Sequence, residues 1–137
     1  MENLLYINKV EFIEARYLAD IKQVRNFGVL LRKWRNFQLL PIIDLASLTS
    51  ETKVVDRETI HTLKLECQLC ADFAVAGRHL CYRLTTVDGK QFLMGVPDKP
   101  FPITNINRNF PGSVSENSAM KLTAEYSNIF GLLVILD

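Results

Sequence analysis

Between Leu80 and Val96 the chain runs LCYRLTTVDGKQFLMGV, two β-favouring stretches joined at Asp88-Gly89. A strand buried on one face has a period of two. Leu80, Tyr82 and Leu84 therefore share one side, and Cys81, Arg83 and Thr85 the other. Asp-Gly supplies the positive φ angles that a tight hairpin needs. This segment commits the chain to antiparallel β structure, and its two strands must find neighbours elsewhere in the sequence.

The same alternation marks two further strands. In HTLKLECQL, Leu63, Leu65, Cys67 and Leu69 oppose Lys64, Glu66 and Gln68. In MKLTAEY, Met120, Leu122, Ala124 and Tyr126 oppose Lys121, Thr123 and Glu125. IFGLLVIL, residues 129–136, is apolar throughout and predicts a strand covered on both faces. CADFAVAGRH, alanine-rich and carrying Gly77, predicts a short helical turn ending at that glycine.

Toward the N-terminus the pattern weakens. LLYINKVEFIEARYL favours strand, with a turn expected at Asn8-Lys9. Residues 20–40 match neither period: Ile21, Val24, Leu31 and Trp34 suit a helix, but Gly28 interrupts them. LLPIIDLASL reads as a strand entered or broken at Pro41, and TSETKVVDRET as a polar hairpin or loop. Four of the five prolines fall in residues 97–118. That stretch reads either as a long functional loop or as an irregular edge strand within FPITNINRNF.

These elements predict a mainly β protein of α+β type. The expected form is one antiparallel sandwich or barrel-like domain spanning 1–137, with one or two short helices. Its 137 residues can bury a core without staples, and 48% hydrophobic with 23% charged residues is the balance of a folded chain. A net charge of +1 gives no global attraction to nucleic acid or membrane. No apolar run approaches the roughly 20 residues of a membrane helix. The opening MENLLYINKVEF is not a secretory signal, and three cysteines do not make a disulfide framework. The expected setting is cytoplasmic, with free thiols.

Cys67, Cys70, His79 and Cys81 have the spacing C-x2-C-x8-H-x-C, a donor set that suits structural zinc. Cys67, however, shares a face with three leucines, and Cys70 has the opposite parity. Buried or half-buried free thiols are the competing reading. A redox CQLC would require βαβ units, whereas the legible connections are hairpins. No catalytic motif emerges from two histidines and scattered acids, so neither an enzyme activity, a small-molecule substrate nor a cofactor is expected.

From Ile21 to Ile43 there are five cations, Lys22, Arg25, Arg32, Lys33 and Arg35, and no acid, interleaved with Phe27, Trp34 and Phe37. Such a mixture suits phosphate contact and base stacking, a solvated face over core aromatics, or a protein interface anchored by tryptophan and arginine.

Over residues 60–137 the order is strand, short link, Asp-Gly hairpin, proline-marked excursion and closing pair. This arrangement resembles the small β-rich structural proteins encoded in bacteriophage and prophage head–tail and tail modules. The resemblance implies a non-enzymatic virion or tail subunit with no active site. Such a subunit forms homo-oligomers and contacts other structural proteins of the same assembly, with DNA nearby. The expected contact residues are Arg32, Trp34, Arg35, Phe101, Ile103 and Phe110, with Phe130 and Leu133 in the core. The alternative is a nucleic-acid-binding or zinc-stapled module.

Overall fold

The computed structural model describes residues 2–25, 27–31, 36–70, 78–109 and 119–136. Among them are eleven strands. The first half holds β1 (Glu2–Glu14), β2 (Lys22–Val24), β3 (Gly28–Leu30), β4 (Gln38–Leu39) and β5 (Ile42–Val55). The second holds β6 (Glu58–Leu69), β7 (Leu80–Thr86), β8 (Gln91–Met94), β9 (Ile103–Asn109), β10 (Ala119–Asn128) and β11 (Leu133–Ile135). A single 3-10 turn, Ala15–Leu18, is the one helical element among the described residues. The protein is thus mainly β, as the alternation predicts. The helical link expected before Gly77 lies outside the described residues.

All the strands belong to one hydrogen-bonded sheet in the order β2-β3-β11-β8-β7-β1-β5-β6-β10-β9, with β4 beside β1. Of the two forms expected, a sandwich or a barrel-like domain, the two facing sheets of a sandwich are not formed: the strands make one open sheet. Its pairing is antiparallel except where β11 runs parallel to β3. The sheet curls strongly enough for the Tyr82 hydroxyl on β7 to hydrogen-bond the Thr104 hydroxyl on β9, although four strands separate them in the ladder order. Side chains, not strand pairing, close that seam.

Two cores result. Leu63, Leu65, Cys67 and Leu69 of β6 meet Leu122, Ala124 and Tyr126 of β10 and Leu80, Tyr82 and Leu84 of β7 in the first. These are the alternating faces read from sequence. The second gathers Ile13, Leu18, Val29, Cys81, Leu93, Val96 and Leu133. β7 therefore contributes to both cores, its even positions to one and Cys81 to the other.

Asn8-Lys9 is a bulge, not a turn. Ile7 pairs with Thr86 and Lys9 with Thr85, so β1 carries one extra residue there. An extra residue inverts the parity of a strand. Ile7 before the bulge and Val10 and Phe12 after it consequently face the same core. β5 has a larger irregularity between Ile43 and Ser47, with Asp44 at φ 59°.

Residues 20–40 form short strands where described, not a helix. Gly28 serves close packing: a Cβ there would lie 2.8 Å from the Val134 carbonyl oxygen and 2.9 Å from the Leu136 side chain. The expected eight-residue strand over 129–136 shrinks to three residues. The Asn128 side-chain oxygen accepts hydrogen bonds from the backbone N–H groups of Phe130 and Gly131, and Gly131 adopts φ +81°. This side-chain turn ends β10 before β11 begins.

Two hairpins differ from their sequence signals. At Asp88-Gly89 only Gly89 has positive φ, +91°, and Thr86 and Lys90 close the turn by backbone hydrogen bonding. A type I turn followed by a left-handed glycine accounts for this pattern. The two-residue hairpin with both central φ angles positive falls instead at Asp56-Arg57, 49° and 69°, between Val55 and Glu58.

Candidate interaction surfaces

The expected contact residues have different fates. Ile103 is 66% exposed on β9, the last strand of the sheet. Thr104 and Ile106 are half-buried on the opposite face of that strand, while Asn105 and Asn107 share the exposed side with Ile103. This is the edge strand that FPITNINRNF suggested as one of two readings. Phe101 is half-buried, packed on the second core and stacked on His79 with ring centroids 4.4 Å apart. Arg32, Trp34, Arg35 and Phe110 lie outside the described residues.

The cysteine cluster is dispersed. Cys67 faces the first core and Cys81 the second. Burial pushes both thiols up to about 12, so neither supplies a thiolate near neutral pH. Cys70 is exposed, and its thiol donates to the Pro41 carbonyl at 3.4 Å. Among the described residues no three His, Cys, Asp or Glu side chains group as metal ligands. No helix among them is long and apolar enough to cross a membrane.

Within the basic stretch, Lys22, Arg25 and Phe27 are exposed around the β2–β3 hairpin, where Arg25 has φ 53° and Phe27 is 62% exposed. Phe37 plays another part. It is half-buried, with the Arg83 guanidinium 4.2 Å above its ring.

Two surfaces had no clear signal in the sequence. The β5–β6 hairpin outruns its neighbours, because β1 begins at Glu2 opposite Glu51 and β10 ends at Asn128 opposite His61. The three outer pairs, Lys53–Ile60, Val54–Thr59 and Val55–Glu58, form a two-stranded arm. Val54 on that arm is the most exposed large hydrophobic residue described, at 73%. At the root of the arm Ile60, Pro100, Ile129 and Phe130 line an apolar groove rimmed by Glu58 and Lys99.

The other surface is the start of β1. Residues 2–7 pair with β5 on one side, but β7 reaches only Ile7 on the other. Leu4, Leu5 and Tyr6 are all exposed there. Three consecutive apolar residues without alternation, LLY, were the only hint. Bracing the polar outer face, Glu66 lies 2.8 Å from Lys121 and 3.4 Å from Lys64. The hydrogen bond from Lys121 is the main cause holding the Glu66 carboxyl below its ordinary value, with Lys64 adding to it.

Comparisons with protein-family models, with curated proteins and with solved structures found no match to this chain.

Proposed function

We propose that this protein is a non-enzymatic structural subunit of a larger assembly, of the kind found in phage-type virions and tails. It would contact copies of itself and other structural proteins through hairpins and strand edges. The observation that carries this reading is the β5–β6 arm. A two-stranded hairpin is marginal in water unless something packs on it. Here Val54 and Val55 are presented to solvent on a stretch of β5 paired only with β6, with no third strand beside them among the described residues. Exposed apolar side chains at tips and edges are suited to docking on neighbours. Ile103 on β9 and Phe27 by the β2–β3 hairpin extend the same pattern.

Native mass spectrometry of the purified protein tests the proposal. A closed oligomer is expected, and Val54→Lys is expected to shift it toward monomer while leaving the melting temperature within a few degrees. A wild-type protein that stays monomeric at every accessible concentration overturns the assembly reading.

A second reading has one observation in its favour, the exposed Lys22, Arg25 and Phe27 around a single edge hairpin. It assigns that hairpin to nucleic-acid phosphates and bases. Binding to single-stranded DNA that falls steeply with salt supports it, because cationic contacts release counterions. No detectable binding at low salt removes it.

A further inference from the structure

We infer that the first strand carries a self-complementary edge: residues 2–6 of β1 pair antiparallel with the same residues of a second copy, across a two-fold axis at Leu4. This rests on the assembly reading and names one of its contacts.

The backbone states the need. Between Glu2 and Tyr6, β1 has β5 on one flank and, among the described residues, no strand on the other. The open position continues the line of β7, which turns away at Thr86 into the hairpin to β8. A strand flank of this kind offers unpaired N–H and C=O groups to any extended segment. The other open flanks are short or carry polar and charged residues, the outer flanks of the arm holding Lys53 and Glu58. β2 has three residues and exposes Lys22 and Gln23, and β9 presents Asn105 and Asn107 beside Ile103. Residues 2–6 carry no lysine and no proline, and their Leu4 and Tyr6 are each 54% exposed.

The choice of a second copy as occupant rests on charge. An antiparallel pairing centred on Leu4 sets Leu4 against Leu4, Asn3 against Leu5, and Glu2 against Tyr6. Glu2 is the single charged residue of the segment. This register separates the two Glu2 positions by four residues, about 14 Å along the strands, beyond the Debye length of about 8 Å at physiological salt. Two copies therefore meet without like-charge conflict, and one patch serves both partners, as a two-fold interface requires. Five residues a side bury less than the roughly 1,200 Å² of a free-standing stable complex. The pairing therefore adds to an assembly instead of founding one, and it depends on protein concentration.

Sedimentation velocity over a wide concentration range tests this, using wild type, Leu4→Lys, Leu4→Glu and an equimolar mixture of the two variants. In this register each single variant sets two like charges directly opposite one another, which is destabilising, whereas the mixture sets lysine against glutamate. Wild type is expected to self-associate. Each variant alone should weaken that step by about tenfold or more, and the mixture should restore it. Unchanged melting temperatures show that the variants fold. If both variants associate like wild type, this edge is not the contact, although the assembly reading stands. If the singles lose association and the mixture does not regain it, Leu4 lies at a contact that is not two-fold. A wild type that remains monomeric throughout overturns both readings, and leaves the edge for a strand of a different protein.

Discussion

Arg83 on β7 donates two hydrogen bonds to the Glu11 carboxylate directly across from it on β1, at 2.9 and 2.7 Å. Glu11 is only 6% exposed, and the same guanidinium, whose edge donates these bonds, lies over the Phe37 ring. The pair joins the two central strands and holds the segment that leads into β4.

Removing Arg83 leaves Glu11 with Lys9, 4.0 Å away, as a remaining cation. Arg83→Ala leaves a buried carboxylate without its bidentate donor, and is expected to cost about 3–5 kcal/mol in denaturant unfolding. Glu11→Leu combined with Arg83→Met is expected to recover most of that loss, because an apolar pair needs no desolvated charge. A double variant no more stable than Arg83→Ala sinks this account.

Thiol reactivity should divide the three cysteines. At pH 8 only exposed Cys70 is expected to react rapidly with a disulfide reagent, while Cys67 and Cys81 wait for unfolding. Burial raises both core thiols from 9.0 to about 12. Their contribution is therefore intact below the unfolded thiol value and is lost as pH rises through 9 toward 12. Stability should fall in that window, and less steeply in Cys67→Ala or Cys81→Ala. Rapid labelling of all three thiols in the native protein contradicts the separation into two cores.

Glu66 should report at the acid end. Lys121 and Lys64 hold its carboxyl below the ordinary value of 4.5, so its favourable pairing is present above that value. Protonation removes the contribution as pH falls through the lowered native value. Because the carboxylate is only half-buried and both lysines are exposed, the effect is small and screened by salt. Glu66→Gln should flatten the acid limb of the stability curve at low ionic strength and change little near 1 M salt. An identical acid limb in both proteins argues that the trio contributes nothing.

The arm can be tightened at its turn. Asp56 and Arg57 both sit at positive φ, a conformation that costs a non-glycine residue about 1 kcal/mol or more. Asp56→Asn with Arg57→Gly installs the pair favoured in this turn type. The double variant should slow amide exchange of residues 53–60 by several-fold without altering exchange in β7. Faster exchange in the arm would show that the turn is not of this type.

Much of the fold was legible in short stretches. The core faces of β6, β7 and β10 follow from side-chain alternation alone, because a strand has a period of two and its apolar residues must go inside. The Asp-Gly hairpin was readable in the same local way, whereas the edge strand within FPITNINRNF was one of two readings that the sequence left open. The sequence also determined that the chain is mainly β, and that Cys67 belongs with leucines. What the tertiary structure alone decided is long-range. The bulge at Asn8 restores parity only because β7 and β5 fix β1 on its two flanks. Gly28 is required by the parallel strand β11, more than a hundred residues away. Cys67 and Cys81 separate into two cores because β7 is covered on both faces. The open edge at Leu4 exists because β7 stops at Thr86 while β5 continues. Alternation says which way a side chain points, but only the pairing of distant strands says what, if anything, stands beside it.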